Sequence, residues 1–333
     1  MATDVLPITL RPIWQRELAE VCTDAKQLAL QLSLPANFIH EHLAASKLFP
    51  LRVTQHFIRL MAHGDSNDPL LRQVLPHAHE FIEADGFVAD PLAEQQQQQP
   101  GILHKYRSRV LVILRGGCAI NCRYCFRRHF PYDQHHFGPQ QRAELLELIR
   151  SDSAINEVIL SGGDPLLATD EQLDRLLSEL EALPQLTRVR IHSRLPVVLP
   201  SRLTTSLAER LQQSRLNAVL VIHSNHPNEI DPILTAALQQ WRSYNITLLN
   251  QSVLLRGIND RADILAHLSE KLFAAGVLPY YLHQLDKVAG ASHFAVSDDQ
   301  ARQIERELRG TLPGFLVPQL VREIAGEASK TPL

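Results

Sequence analysis

Apolar residues recur every three to four positions through the first part of the chain, in WQRELAEVCTDAKQLALQL and again in FIRLMAHG, before the turn-forming GDSNDP. That spacing predicts a mostly helical region over residues 1–90, with Cys22 a small apolar residue on a helical pattern. The next stretch, DPLAEQQQQQPG, is polar, low in complexity and ended by Pro-Gly, the composition of a connector. A boundary is therefore expected at the glutamine run, residues 95–99, inside a linking segment of residues 91–108.

Past that segment the period changes. Short β-branched runs begin at Arg109, Glu157, Arg188, Asn217, Ile246 and Val277, and amphipathic patterns such as DEQLDRLLSELEAL and ILAHLSEKLFAA lie between them. The runs are nearly continuously apolar, as expected of strands buried on both faces, and strand plus helix returns at close to the ~30 residues of a βαβ unit. Six such units fill residues 109–285, whereas a closed eight-unit barrel needs about 250 residues. The expected fold is α/β, an incomplete six-unit barrel, (βα)6, over residues 109–295, followed by a C-terminal helix and tail over residues 296–333. An open doubly wound sheet has the same local signature. In either fold, chemistry belongs at the C-terminal ends of the strands.

Composition narrows the partners. The chain has 333 residues, with 33 Lys and Arg against 36 Asp and Glu, and 45% hydrophobic residues. A near-neutral balance supplies no field for a polyanion or an anionic membrane, so neither nucleic acid nor a membrane is an expected partner. No apolar run approaches the ~18 residues of a membrane span, and MATDVLPITLRP lacks the features of an export signal, so the cytoplasm is expected.

Of 4 cysteines, Cys118, Cys122 and Cys125 fall together in GGCAINCRYCFRRHF, just after the first β-branched run. In a reducing compartment such a cluster points to metal or redox chemistry. Three thiolates can hold three irons of a cubane cluster and leave the fourth iron open to an exogenous ligand, which a four-cysteine set does not. The alternative is a zinc site completed by a histidine such as His129.

CxxxCxxC after the first strand of such a barrel resembles the radical S-adenosylmethionine superfamily. That resemblance implies a 4Fe–4S cluster on the three cysteines, whose open iron binds S-adenosylmethionine and whose electron cleaves it to a 5′-deoxyadenosyl radical. After the second strand, Ser161, Gly162, Gly163 and Asp164 resemble the superfamily's glycine-rich segment that cradles the methionine part of the cofactor. Taken alone, GGDP is as readily a turn. His223, Gln251 and Ser252, near the ends of the fourth and fifth strands, resemble further S-adenosylmethionine contacts, although singly each reads as an ordinary polar strand-end group.

Longer strings, GILHKYRSRVLVIL, CRYCFRRHF, LLNQSVLLRGIND, YYLHQLDKVAGASHF and GEASKTPL, are similar to the lysine 2,3-aminomutase family and keep its order from residue 91 to the last. The helical N-terminal region resembles the branch that makes (R)-β-lysine for modification of elongation factor P. The resemblance implies an isomerase that moves the α-amino group of L-lysine to the β-carbon with pyridoxal 5′-phosphate, an external electron donor, and a functional link to elongation factor P and its lysine ligase. It makes Lys330 the pyridoxal lysine, with Arg109, Lys105 and Tyr106 contacting that cofactor. Arg127 becomes the clamp for the substrate carboxylate, suited by its planar fork, and Asp286 with Glu323 the pair that binds the ε-ammonium. Glu323 stands where the family usually has Asp. By themselves Lys330 reads as an exposed residue of a frayed tail, Arg109 as a strand-end charge and the two acids as surface residues. Two other functions remain in play: an aminomutase making a free β-amino acid, as osmolyte or from another substrate such as glutamate, and a non-catalytic metal-binding barrel. Two acids at the far end of the pocket disfavour an acidic substrate.

Overall fold

The computed structural model describes residues 11–35, 43–95, 100–135 and 137–333. Residues 96–99 of the glutamine run lie outside the described residues. Nine strands form one sheet in sequence order: β1 (Ile102–Tyr106), β2 (Arg109–Arg115), β3 (Glu157–Gly162), β4 (Arg188–Ser193), β5 (Asn217–His223), β6 (Thr247–Val253), β7 (Leu278–His283), β8 (Gln319–Arg322) and β9 (Thr331–Pro332). Strands β2 to β8 are parallel, and β1 and β9 pair antiparallel at the two ends. A doubly wound sheet reverses its strand order at a switch point, and this sheet has no reversal, so it is the curved, unclosed barrel rather than the doubly wound alternative.

The six expected strands are β2 to β7. Strand β8 is a seventh, too short to stand out in its sequence, and β9 folds back on it through Val321 opposite Pro332 and Arg322 opposite Thr331. The chain's end is thereby part of the sheet, not a frayed tail.

Helices α1 (Ile13–Ala19), α2 (Ala25–Gln31) and α3 (Gln55–Arg59) belong to the N-terminal region. The others follow strands: α4 (Pro139–Ser151), α5 (Asp170–Glu181), the single turn α6 (Leu195–Val198), α7 (Thr205–Gln212), α8 (Pro232–Arg242), α9 (Ala262–Ala274) and α10 (Asp298–Thr311). Local sequence starts them where the strands need cover. Thr169 caps α5 by accepting from Gln172 N–H at 3.3 Å while the Gln172 side chain accepts from Thr169 N–H at 3.0 Å. Asp231 caps α8 ahead of Pro232. Leu173, Leu176, Leu177 and Leu180 make the buried stripe of α5, at the spacing of one helix face.

Strand alternation decides what faces what. Val158 and Leu160, Val189 and Ile191, and Ala218, Leu220 and Ile222 point outward into the core shared with the helices. Their neighbours Arg190, His192, His223, Gln251 and His283 point inward and line a cavity. The expectation of strands apolar on both faces therefore holds only for the outer face, because the inner one surrounds a space rather than a packed core.

The N-terminal region is less continuous in helix than its pattern. The chain leaves α1 before Cys22, which is buried but pairs in a bridge with Val53, the N–H of Cys22 donating to Val53 O at 2.8 Å. This region packs on the barrel, with Arg202 over the Trp14 ring at 4.7 Å and Thr54 Oγ1 donating to Val198 O. No helix among the described residues is long and apolar enough to cross a membrane.

Candidate active site

The cysteine loop leaves β2 and is held by the N-terminal region from outside. Asn121 N–H donates to Arg52 O at 2.9 Å and Arg123 N–H to Gln73 O at 2.8 Å. Glu80, with no exposed side-chain surface, accepts from Arg123 Nε at 2.8 Å and from Arg128 at 2.6 Å. Arg128 also donates to Gly290 O at 3.1 Å, so it fixes the loop. Buried unpaired charges are costly, and three groups satisfied this way make a rigid platform.

Cys118, Cys122 and Cys125 are free thiols that line a cavity of about 780 Å³. No three His, Cys, Asp or Glu among the described residues converge on a point that could hold a single metal ion. His129 does not line the cavity, and its Nε2 lies 3.2 Å from Ala289 O, so it does not complete a three-cysteine zinc site. Three thiols on the wall of one cavity, with open space beside them, suit a polynuclear cluster. Burial, then mutual proximity, raises the Cys118 thiol and pushes Cys125 up to about 11. A bound cation supplies the compensation that their deprotonation needs.

The glycine-rich segment after β3 sits against the start of the cysteine loop. Gly163 N–H donates to Arg115 O at 2.7 Å and Asp164 N–H to Gly117 O at 2.8 Å. A Cβ on Gly163 would lie 2.2 Å from Gly117 O, and Gly162 has a φ of +120°. Glycine is needed here because two loop backbones touch, a requirement that precedes any ligand. Asp164 is consumed by the chain itself: it accepts from Ser193 Oγ at 2.7 Å, from Arg194 and Leu195 N–H at 2.9 Å and from Leu166 N–H at 3.0 Å. Burial still raises its pKa to about 6.

His223 and Gln251 are neighbours across β5 and β6, with Gln251 Nε2 2.9 Å from His223 Nε2, and both face the cavity. Burial lowers His223 to about 3, so its imidazole is neutral. Ser252 differs. It points to the opposite face of β6, where its hydroxyl donates to Ser224 O at 2.7 Å, and it does not line the cavity. Strand alternation makes Gln251 and Ser252 mutually exclusive as inward contacts, which corrects the expectation for Ser252.

At the other end of the same cavity lie Lys330, Glu323, Asp286, Arg109, Tyr106 and Lys105. Lys330, just before β9, forms an ion pair with Glu323, just after β8, and its side chain is only 22% exposed. Tyr106 OH donates to Glu323 Oε1 at 2.8 Å, and the Arg109 guanidinium lies 4.1 Å from the Tyr106 ring centre. The β1–β2 hairpin thus delivers three of the expected cofactor contacts. Burial would raise Glu323, but Lys330 and Tyr106 bring it below the ordinary carboxylate value. Asp286 forms no ion pair among the described residues, and burial together with the nearby Glu323 charge pushes it up to about 7.

Arg127 lies between the two ends. Its Nε and one terminal nitrogen engage Glu94 at 2.6 and 3.2 Å, and the other donates to Ser161 Oγ at 3.2 Å and Gly162 O at 3.1 Å. Four of five N–H groups are therefore in use. Glu94 also accepts from Lys105 Nζ at 2.7 Å. Sequence reasoning missed Glu94, which precedes the glutamine run with no surrounding pattern. It also missed Arg190, His192 and His283, although polar residues at period two in RVRIHS and YYLH carried that signal.

The radical SAM superfamily model matches residues 112–268. A radical SAM methyltransferase from Sphaerobacter thermophilus superposes with a TM-score of 0.50 at 17% identity, over 66% of this chain and 68% of that one, a likeness of fold. The L-lysine 2,3-aminomutase of Escherichia coli is 53% identical over 97% of this chain and 95% of its own, and that of Haemophilus influenzae 52% over 96% and 94%. The L-lysine 2,3-aminomutase of Clostridium subterminale is 37% identical over 86% of this chain and 69% of its own. Near-complete alignment at these identities, on a radical SAM fold with both ends of the cavity equipped, means that the chain belongs to the lysine 2,3-aminomutase family of radical SAM enzymes.

Proposed function

We propose that the protein converts L-α-lysine to (R)-β-lysine as a pyridoxal 5′-phosphate-dependent isomerase. The observation that carries this reading is a single cavity with three thiols at one end and, at the other, a lysine paired with Glu323 and a second acid, Asp286, in the same wall. Bound there, a 4Fe–4S cluster and S-adenosylmethionine would supply a radical, and pyridoxal phosphate an electron sink for nitrogen migration.

The chain's own residues divide the remaining work. Cys118, Cys122 and Cys125 hold the cluster, and Ser161, Gly162, Gly163, His223 and Gln251 border the S-adenosylmethionine space, with Asp164 bracing that loop. Lys330 holds pyridoxal, and Arg109, Tyr106 and Lys105 surround it, the guanidinium being suited to its phosphate. Once Lys330 is committed to the cofactor, Glu323 keeps only the longer Lys105 contact at 3.9 Å and the Tyr106 hydrogen bond, and becomes available to a cationic substrate end. Asp286 then faces the same end, so a lysine ε-ammonium finds two carboxylates where a glutamate side chain would meet repulsion. Arg127 orients the substrate carboxylate with its remaining N–H, Glu94 holding the guanidinium plane in place.

The finer assignment is that the β-lysine serves modification of elongation factor P through its lysine ligase, in the cytoplasm. It is supported by the resemblance of the helical N-terminal region. Loss of the β-lysyl mass from elongation factor P in a deletion strain, restored by this chain, is the expected result; an unchanged mass points to the osmolyte role.

The direct test is an anaerobic assay of the reconstituted protein with L-lysine, S-adenosylmethionine, pyridoxal phosphate and dithionite. β-Lysine should form from lysine and not β-glutamate from glutamate. A fully loaded protein that leaves lysine unchanged refutes the proposal.

A further inference from the structure

Arg194 follows β4 and opens the short turn α6, and it reaches both the cysteine loop and the N-terminal region. Its side chain is 6% exposed, and among the described residues its hydrogen bonds go to Cys122, Tyr124, Gln73 and Glu229, none of them at the pyridoxal end of the cavity. One terminal nitrogen donates to Cys122 Sγ at 2.9 Å and to Tyr124 OH. The other donates to Gln73 Oε1 at 2.7 Å and lies 3.5 Å from Glu229 Oε2.

The cation is held from several directions. Tyr124 OH also accepts from Asn225 Nδ2 at 2.6 Å. Glu229, fully buried, accepts from Gln73 Nε2 at 2.9 Å and from the N–H groups of Asn225 and His226 at 3.1 Å. The guanidinium lies 5.5 Å from the ring centres of both Phe57 and Tyr124. Residues from the N-terminal region, the cysteine loop and the β5 loop thus converge to aim one buried cation at one sulfur. Among the described residues, neither Cys118 nor Cys125 receives a side-chain hydrogen bond of this kind. Nothing in substrate binding requires this arrangement.

We propose that Arg194 is a positioning residue for the Cys122 sulfur that raises the reduction potential of the cluster, with Glu229 acting as the counterweight. The proposal rests on the reading that the three cysteines hold a 4Fe–4S cluster. One electron from an external low-potential donor converts the 2+ core to 1+, and no bond is made or broken. The added negative charge spreads onto the sulfurs, where a fixed N–H donor and a full positive charge in a water-poor pocket stabilise it more than they stabilise the oxidised form. Glu229 opposes this at longer range. The two residues therefore push the potential in opposite directions.

The test is an EPR-monitored redox titration of the anaerobically reconstituted full chain without S-adenosylmethionine, in the parent, Arg194→Gln and Glu229→Gln, each assayed for iron and sulfide. In Arg194→Gln the ratio of reduced to oxidised cluster at the parent's midpoint should fall about tenfold, a shift of about 59 mV to more negative potential for one electron. Glu229→Gln should shift it the other way. Mere loosening of the loop admits water, which stabilises added charge and moves both variants upward together. Unchanged midpoints, or shifts of the same sign, overturn the proposal. If Arg194→Gln does not retain iron, Arg194→Lys, which keeps the charge but loses the planar fork that donates to Cys122, decides: a negative shift, opposite to that of a loosened loop, supports the proposal, and no shift or a positive one overturns it. A parent protein that binds no cluster overturns the cysteine reading, and the proposal with it.

Discussion

Glu94 and Arg127 form a two-pronged ion pair, 2.6 and 3.2 Å, in the wall between the two ends of the cavity, with both side chains almost wholly buried. Removing one partner of such a pair leaves an uncompensated charge and costs roughly 3–5 kcal/mol. Glu94→Met should lose stability of about that size in chemical denaturation of the cofactor-free protein, because Arg127 has no other ion pair among the described residues, whereas Glu94 also pairs with Lys105. A loss below about 1 kcal/mol, the range of exposed pairs, would mean that the pair is solvated and that Glu94 does not position Arg127.

Asp286 carries a pH dependence of definite sign. Its folded pKa of about 7 lies above the ordinary carboxylate value, with burial the main cause. Between the two values the folded chain binds more protons than the unfolded one, so this group's contribution to stability is full at acid pH and is lost as pH rises through 7. A cationic substrate needs the ionised form, so KM for lysine should fall as pH rises toward 7 and level above it. Asp286→Asn should raise KM and remove both dependences; a parent KM flat from pH 6 to 8 would exclude Asp286 as the ammonium site.

Lys330→Ala should lose pyridoxal phosphate while keeping the iron-sulfur absorption, because Lys330 stands just before β9 whereas the three cysteines stand on the loop after β2. Borohydride reduction followed by peptide mapping checks this in the parent, with the label expected on Lys330. A label on another lysine would move the cofactor site.

Gly163→Ala forces a methyl group to within 2.2 Å of the Gly117 carbonyl oxygen, which is backbone and cannot swing aside. The cysteine loop must then shift. The variant should hold less iron after reconstitution and bind S-adenosylmethionine more weakly, measured by calorimetry, whereas Gly314→Ala, with nothing near its Cβ, should do neither.

How much of this was legible beforehand follows from what pattern encodes. Strands β2 to β7 were readable because their outward faces are mostly apolar, as Val189 and Ile191 or Leu220 and Ile222 illustrate, although β6 carries Asn250 and Ser252 there. Strand β8 was not, since four residues of pairing leave little periodicity, and β9 owes its place to β8 rather than to its own sequence. The break before Cys22 escaped because its apolar spacing fits either a helix or a bridge to Val53. At the site, clustered cysteines and GGDP are local signals. Glu94 and Arg194 act across 33 and 72 residues of chain separation, on Arg127 and Cys122, and such pairings exist only once the sheet has formed. Ser252 shows the converse, a motif neighbour turned away by the alternation of its strand.

The most direct measurement of the central claim, that one cavity joins radical generation to nitrogen transfer on lysine, uses L-lysine labelled with 15N at the α-position. The reconstituted protein, given S-adenosylmethionine and dithionite, should yield β-lysine with the label on the β-nitrogen and none exchanged with unlabelled ammonia in the medium. Label lost to ammonia, or lysine recovered unchanged from protein carrying a full complement of iron and pyridoxal phosphate, would contradict it.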